Sequence, residues 1–303
     1  MNLTLSERYR GSLLGLACGD AVGTAVEFRS RGSFAPLTDM IGGGPFGLAV
    51  GKWTDDTSMA LCLAESLLNK LDFDATDQMG RYLNWWQWGY LSSTGDCFDI
   101  GMTVRQALMT FQETGNPFAG STDPQSAGNG SLMRLAPVVL FYYPSIEQVV
   151  ASCAESSRTT HAAPEAIQCC ALFGLALAKA LAGESKASLL HLEGAKLNEP
   201  KVASIAKGSF LGKSRTEIVG SGYSVASLEA ALWCFHHTET FEAAVLEAAN
   251  LGDDADTTAA ITGQLAGAYY GIKQIPPRWL ERLYMRADIE ATAEALLRAS
   301  TTR

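Results

Sequence analysis

Glycine recurs at every fourth position near the start of the chain, within a segment that also places apolar residues at helical spacing. The glycines are Gly11, Gly15, Gly19 and Gly23, and the apolar residues are Leu13, Leu14, Ala17, Ala21 and Ala25. Residues four apart lie on one face of an α-helix, so one face of this helix carries no side chains. The pattern predicts a helix packed very closely against a neighbour. Approach of a ligand to the bare backbone is an alternative only at the C-terminal end of the stripe.

Helix formers dominate the other periodic segments of the 303 residues, and runs of β-branched residues are short. Helices are predicted at about residues 57–70, 79–90, 165–182 and 259–271, and from about Val225 onward. Long loops are predicted at residues 29–53, 115–130 and 208–223, where Gly, Pro and Ser are frequent. The hydrophobic content of 47% supplies a sizeable core. We predict an all-α, compact helical bundle with long functional loops.

Charge and composition exclude several classes of partner. The net charge is −9, and no run rich in Lys or Arg provides the basic stripe that a nucleic acid needs. The N-terminus lacks the apolar stretch of a signal peptide, and the most apolar stretch, residues 171–182, contains Lys179 and is too short to span a bilayer. We therefore expect a cytoplasmic protein without a nucleic-acid or membrane partner. Seven scattered cysteines without a C-x-x-C pair argue against a disulfide framework and against a zinc site.

Two acidic clusters lie about two hundred residues apart, each directly before a predicted helix. They are Thr54-Asp55-Asp56 and Asp253-Asp254-Ala255-Asp256-Thr257. One carboxylate is enough to cap a helix, whereas several held together repel one another unless some are protonated or a cation lies among them. A cation site is thus favoured, and helix capping is the alternative. Oxygen ligands suit Mg²⁺, Mn²⁺ or Ca²⁺ rather than zinc, and five carboxylates are enough for two cations.

These clusters and the motifs between them resemble the ADP-ribosylglycohydrolase family, in kind close to the bacterial dinitrogen-reductase-activating glycohydrolases. Each motif alone is common, but all of them occur in the order of the family. The matching segments are residues 15–23 with Glu27, then 53–57, 98–101, 128–134, 160–161, 222–223 and 250–257.

The resemblance implies a single orthogonal all-α domain over residues 1–303, acting on ADP-ribosylated protein, releasing ADP-ribose and by default monomeric. It implies two Mg²⁺ ions, with Mn²⁺ as an alternative. By match to the motifs, the metal ligands are Thr54, Asp55, Asp56, Asp254, Asp256 and Thr257, with Glu27 as a further ligand or a group acting on the substrate. Many relatives have Gly-Gly where this chain has Gly252-Asp253, and Asp253 is not assigned as a ligand.

The reaction implied is hydrolysis of the bond between C1 of the distal ribose and an acceptor, classically the guanidinium of arginine. We expect metal-bound water to attack C1, oriented by Asp55, Asp56 or Glu27. Asp99 matches an aspartate of the bacterial enzymes and would assist at the ribose or the leaving group. Order along the chain does not decide which carboxylate is the base.

Further residues are predicted to contact the substrate: Gly128, Asn129, Gly130, Ser131, Met133, His161, Tyr223 and Phe98. The Gly-Asn-Gly-Ser segment suits the diphosphate or the adjacent ribose, with a plain turn as the alternative. A structural role is the alternative for His161, and packing is the alternative for the two aromatic residues. Arg134 is interpreted either as a partner of a site carboxylate or as part of a structural ion pair.

Other functions stay open at this point. The same chemistry could act on serine-linked or small-molecule ADP-ribosyl adducts. A non-catalytic ADP-ribose binder and a binuclear phosphohydrolase that cuts the diphosphate are the remaining alternatives.

Overall fold

The computed structural model describes residues 3–192 and 197–302. Within these ranges the chain forms fourteen α-helices and four short 3₁₀ helices, with isolated β-bridges and no strands. The all-α prediction is therefore confirmed. In chain order the α-helices are α1 (Leu5–Gly23), α2 (Asp55–Lys70), α3 (Ala75–Trp88), α4 (Met102–Thr114), α5 (Ala136–Tyr142), α6 (Ile146–Arg158), α7 (Pro164–Leu181), α8 (Lys186–Leu189), α9 (Pro200–Ala206), α10 (Ser224–His236), α11 (Phe241–Ala249), α12 (Ala255–Tyr270), α13 (Pro277–Arg282) and α14 (Arg286–Thr301). The 3₁₀ helices are Thr24–Val26, Pro124–Ser126, Arg215–Glu217 and Ile272–Gln274.

The predicted helices are present, but those that carry the acidic clusters begin earlier than expected. Helix α2 begins at Asp55 and α12 begins at Ala255. Asp55, Asp56, Asp256 and Thr257 therefore lie in the first turns of these helices, whereas Thr54, Asp253 and Asp254 precede the helices as expected. The expected helix at 79–90 is shifted in the same direction and runs over Ala75–Trp88.

Helix α1 packs along α12 through the glycine stripe, as the spacing predicts. A Cβ atom on Gly15 would lie 2.3 Å from the carbonyl oxygen of Gly263, and one on Gly23 would lie 2.4 Å from that of Ala255. Gly11 faces Gly267 in the same way. Later residues of α1 contact earlier residues of α12, so the two helices are antiparallel. The C-terminal end of α1 therefore meets the N-terminal end of α12.

Helix α7 is the one helix among the described residues whose length and apolar composition would allow it to cross a membrane. The mean hydropathy of its 18 residues is 1.3, and 61% of them are buried inside the protein. It packs against α6, α10 and α12. These contacts are those of a core helix.

The segment between α1 and α2 is irregular, as predicted, and is tied to the helical body at several points. Leu37 exchanges two hydrogen bonds with the side chain of Asn250, at 2.7 and 3.0 Å. Phe28 donates its backbone N–H to the carbonyl of Asp253 at 2.7 Å, and Asp253 donates to the carbonyl of Arg29 at 2.8 Å. These pairs place Glu27 beside the start of α12.

Candidate active site

Three helix ends meet around the acidic residues. The last turn of α1 contributes Asp20, the start of α2 contributes Asp55 and Asp56, and the start of α12 contributes Asp256. Glu27 follows the 3₁₀ turn after α1 and is only 3% exposed. Close α1–α12 packing thus brings together carboxylates that are more than two hundred residues apart.

The two acidic helix starts are not capped by their own side chains. Neither Thr54 nor Asp254, the N-cap residues of α2 and α12, makes a side-chain capping bond. Asp20 serves α2 from the neighbouring helix. Its Oδ1 accepts from the backbone N and Oγ1 of Thr54 at 2.8 and 2.9 Å, and its Oδ2 accepts from the N and Oγ1 of Thr57 at 3.1 and 2.6 Å. Helix capping therefore does not explain the paired aspartates.

Asp20 is a site residue that sequence reasoning left without a role. Asp20 lies inside the glycine motif of α1. The signal available in the sequence is a single carboxylate in the otherwise uncharged second half of that helix. Its four donors belong to a loop and helix 34 to 37 residues further along the chain. Only the tertiary structure identifies these donors.

The carboxylates form two overlapping groups. In the inner group, which comprises Asp20, Asp56 and Asp256, one oxygen of each residue lies within 4.8 Å of the others. In the outer group, which comprises Glu27, Asp99 and Asp256, the same limit holds. Asp256 is common to both groups, so both surround the start of α12.

Threonine hydroxyls connect the two helix starts across the inner group. Thr54 Oγ1, whose hydrogen goes to Asp20, also lies 3.2 Å from Asp256 Oδ2, and Thr257 Oγ1 donates to Asp56 Oδ1 at 3.2 Å. The predicted ligands Thr54, Asp56, Asp256 and Thr257 are thus neighbours in space. Asp254 is held nearby by Asn129, whose Nδ2 donates to Asp254 Oδ2 at 2.6 Å.

Several oxygens of this site fit a divalent cation. Glu27 Oε2, Asp56 Oδ2 and Asp256 Oδ1 are buried and have no hydrogen-bond partner among the residues that the structure describes. Buried polar atoms without partners are rare and destabilising in native proteins. Carboxylate oxygens are acceptors only, so a cation satisfies them without a donor.

The pKa values of these carboxylates also fit a bound cation. Burial, followed by repulsion from Asp256 and Asp99, raises the pKa of Glu27 to about 12. Burial and then Asp20 raise the pKa of Asp99 to about 7. Burial also raises the pKa values of Asp55, Asp56 and Asp256 well above their usual range, with neighbouring carboxylates adding to the shift. The carboxylates are not all ionised together near neutral pH unless positive charge is bound among them.

A cavity of about 910 Å³ opens above the outer group. Its volume lies in the range of sites for cofactors and drug-sized ligands. Asp55, Asp99, Asp254, Asp256 and Glu27 line its acidic side. Thr54 and Asp56 are buried and are not among the residues that line the cavity, although both belong to the region of the inner group.

The predicted substrate contacts divide into two sets. Gly128, Asn129, Gly130, Met133 and His161 line the cavity. Ser131, Tyr223 and Phe98 are not among the lining residues.

Each residue of this second set has a contact elsewhere. In the interior, Ser131 Oγ donates to Ser157 Oγ at 2.8 Å, because the hydrogen of Ser157 goes to the carbonyl of His161, and it accepts from Cys170 Sγ at 3.3 Å. The Tyr223 hydroxyl donates to Glu165 and accepts from Lys201 Nζ. Phe98 packs edge-on against Phe46, with ring centroids 5.1 Å apart, and Phe46 lines the cavity. The structure therefore supports packing and hydrogen-bonding roles for these three.

The side-chain amide of Asn129 orients Asp254, and the expected contact of Asn129 with the substrate stays a prediction. Both contacts of its amide nitrogen lie within the protein, at 2.6 Å to Asp254 and at 2.8 Å to Ser227 Oγ. The amide hydrogens are therefore committed to orienting Asp254 and are not available as donors to a phosphate.

Both interpretations of Arg134 were wrong. Its guanidinium is fully buried, and no carboxylate lies within ion-pair distance in residues 3–192 and 197–302. It instead lies over the ring of Tyr82, with Cζ 4.7 Å from the centroid, and donates to Gly130 O at 3.0 Å and to Thr160 Oγ1 at 2.7 Å.

Asp253 lies at the cavity wall with its side chain exposed and belongs to neither acidic group. Its φ of 56° and that of Asp99, 59°, are left-handed, a conformation that is costly for residues other than glycine. Strain of this kind is often found at functional sites, and here it orients two carboxylates toward one cavity.

Comparison with known proteins agrees with the geometry. A family model described as ADP-ribosylglycohydrolase matches residues 1–303. The ADP-ribosylarginine hydrolase Tri1 of Pseudomonas putida (strain GB-1) is 44% identical over 290 residues, which cover 96% of this chain and 78% of that protein. The ADP-ribosyl-(dinitrogen reductase) glycohydrolase of Rhodospirillum rubrum is 31% identical and covers 97% of each chain.

A solved chain from an ADP-ribosylglycohydrolase-related protein complex superposes with a TM-score of 0.88 at 44% sequence identity. The match covers 98% of this chain and 99% of the other. The family model spans every segment that carried the resemblance. The protein is thus a glycohydrolase, and the chain belongs to the ADP-ribosylglycohydrolase family.

Proposed function

We propose that this enzyme removes ADP-ribose from arginine side chains of modified proteins by hydrolysing the N-glycosidic bond at C1 of the distal ribose. The observation that carries the proposal is the outer acidic group, Glu27, Asp99 and Asp256, at the base of a cavity large enough for ADP-ribose. The ADP-ribosylarginine hydrolases of Pseudomonas putida and Serratia proteamaculans, at 44% and 43% identity, support arginine as the acceptor.

We further propose that the two acidic groups hold two divalent cations, Mg²⁺ or Mn²⁺. Three buried carboxylate oxygens without partners and two threonine hydroxyls provide a hard, oxygen-only set of ligands. Asp56 and Asp256 with the hydroxyls of Thr54 and Thr257 would hold the inner ion. Glu27 and Asp256, with Asp55 and Asp254 from the same side of the cavity, would hold the outer ion. Asp20, whose oxygens are filled by Thr54 and Thr57, would orient Thr54. The chemistry that such ions supply is Lewis acidity, which fixes sugar hydroxyls and lowers the pKa of water.

The protein's own groups then bind and orient the reactants. Asn129 fixes Asp254 on the acidic side of the cavity, while Gly128, Gly130 and His161 form another part of the wall. Glu27 and Asp99 both line the cavity and are the groups placed to exchange a proton with the attacking water or with the leaving guanidine. An oxocarbenium-like transition state is stabilised by nearby carboxylates.

The proposal is tested by product analysis on peptides that carry ADP-ribose on arginine, serine or aspartate. With Mg²⁺ we expect free ADP-ribose from the arginine peptide, and none after chelation. Release from the serine peptide alone would assign the alternative acceptor. AMP with ribose phosphate would instead show cleavage of the diphosphate and contradict the proposal.

Variants assign the acid–base groups. Asp99→Asn and Glu27→Gln should each lower kcat by about 100-fold or more, because each removes a group capable of proton transfer. Asp96→Asn is the matched control, since Asp96 is exposed in the same loop and is not among the cavity-lining residues. Turnover of Asp99→Asn equal to that of the control would remove Asp99 from the mechanism.

A further inference from the structure

Arg134 is an unusual residue because its guanidinium is fully buried without an ion pair in the described part of the chain. A buried charge is costly unless other groups compensate for it. Here the Tyr82 ring and two oxygen acceptors, Gly130 O and Thr160 Oγ1, provide the compensation. One of these acceptors connects the guanidinium to the cavity wall.

The connection is a chain of two hydrogen bonds. Arg134 Nη2 lies 2.7 Å from Thr160 Oγ1, which lies 2.9 Å from His161 Nδ1. A guanidinium has no acceptor, so the hydroxyl must accept from it. The hydrogen of this buried hydroxyl then has one partner within the described residues, His161 Nδ1. Placing a proton on Nδ1 instead would leave the hydroxyl hydrogen without an acceptor.

The other ring nitrogen faces the cavity. A Cβ atom on Gly128 would lie 3.3 Å from His161 Nε2, and one on Gly130 would lie 2.8 Å from Cε1. The two glycines therefore make room for the imidazole edge, which explains their presence on either side of Asn129. The His161 backbone is fixed by bonds to Ser157 at 2.7 and 2.8 Å, so the ring is held in this position.

We propose that Arg134 and Thr160 are positioning residues that hold His161 as a neutral imidazole with its Nε2–H directed into the cavity, where it donates to an oxygen of the ADP-ribosyl group. The inference rests on the proposed function for the identity of the ligand. Burial, with Arg134 nearby, also lowers the pKa of His161 to about 3, which agrees with a neutral ring. His161 is then a fixed donor and not a general base.

The tautomer is read directly by long-range ¹H–¹⁵N NMR on the full-length protein with labelled histidine. The chain contains four histidines, and His161→Gln identifies the signal of His161. We expect a protonated Nε2 and a bare Nδ1 in the wild type and in Thr160→Ser, and a mixture of tautomers in Thr160→Val. A protonated Nδ1 or an imidazolium in the wild type at neutral pH would overturn the proposal.

Binding of ADP-ribose, measured by calorimetry, tests whether the Nε2–H group of His161 donates a hydrogen bond to the ligand. Thr160→Val should weaken binding by about tenfold, the effect of one lost hydrogen bond, whereas Thr160→Ser should stay within about threefold of wild type. If the valine variant does not fold, the pair His161→Gln and His161→Asn decides, because the glutamine amide reaches toward the Nε2 position and the asparagine amide does not. Equal binding by that pair would overturn the proposal. Failure of the wild type to release ADP-ribose from arginine would count against the proposed function alone, since the tautomer is measured without turnover.

Discussion

A single carboxylate, Asp20, receives hydrogen bonds from the backbone and the hydroxyl of both Thr54 and Thr57. Most of the acidic residues around it could be predicted from the sequence, because carboxylates crowded at two helix starts favour a cation over capping. Asp20, the orienting role of Asn129 and the isolation of Arg134 could not. These three features depend on which side chains the fold brings together, and the spacing of residues along the chain contains no information about that.

Buried His161 should make stability depend on pH. Its pKa is about 3 in the folded protein, compared with about 6.5 in the unfolded chain. Between these values the unfolded chain binds a proton that the folded chain does not, so stability falls as the pH falls below about 6.5. At pH 5 the loss from this group is about 2 kcal/mol.

The measurement is the free energy of unfolding of the wild type and of His161→Gln at pH 7 and pH 5, from urea titrations. The difference between the two proteins should shift by about 2 kcal/mol in favour of the variant on acidification, because the variant lacks the titrating ring. The other titrating groups are common to both proteins, so their contributions to the pH dependence of stability cancel in the difference. A difference that stays constant would show that His161 binds its proton equally well in the folded and unfolded states.

Asp256 should reduce the stability of the metal-free protein. One of its oxygens is buried without a partner, and it belongs to both acidic groups. In chelator, Asp256→Asn should raise the free energy of unfolding by about 1–2 kcal/mol, because it removes an unsatisfied buried acceptor and a repelling charge. A destabilised variant in urea titrations with chelator would contradict this.

At the scale of the elements, the α1–α12 pair decides where the site forms. The glycine stripe of α1 could predict a close neighbour, but it did not identify the neighbour. The matching small residues Ala259, Gly263 and Gly267 also recur every fourth position, and they are the signal that identifies α12. The starts of α2 and α12 were predicted late, because Asp and Thr are typical of positions before a helix as well as of its first turn.

Two glycine-to-alanine variants test this interface. In Gly15→Ala the new Cβ would lie 2.3 Å from Gly263 O, so α1 and α12 must separate. We expect a loss of at least about 3 kcal/mol in the free energy of unfolding. Gly80→Ala in α3 is the control, since its Cβ would meet nothing within 4 Å, and it should add about 1 kcal/mol through helix propensity.

Thermal and urea unfolding followed by circular dichroism would measure both variants. Loss of stability by the Gly80 variant would show a contact missed at α3. A Gly15 variant as stable as the wild type would show that the close approach of the two helices is not required.

At the scale of the whole molecule, the candidate active site is assembled from segments that span the chain from Asp20 to Thr257. The family motifs predicted which segments contribute to the site, and helical periodicity predicted the all-α class. The division of the acidic residues into an inner and an outer group could be predicted from neither the motifs nor the periodicity. It depends on how three helix ends and two loops approach one another, and these distances are set by packing across the entire fold.

Asp256 is proposed to join two cation sites at the base of this cavity. The most direct test of this proposal is calorimetric titration of Mg²⁺ into chelator-treated protein, with Asp256→Asn alongside the wild type. Two ions per chain in the wild type and loss of both in the variant are the predicted results. No binding by the wild type at millimolar Mg²⁺, or binding that Asp256→Asn leaves unchanged, would contradict it.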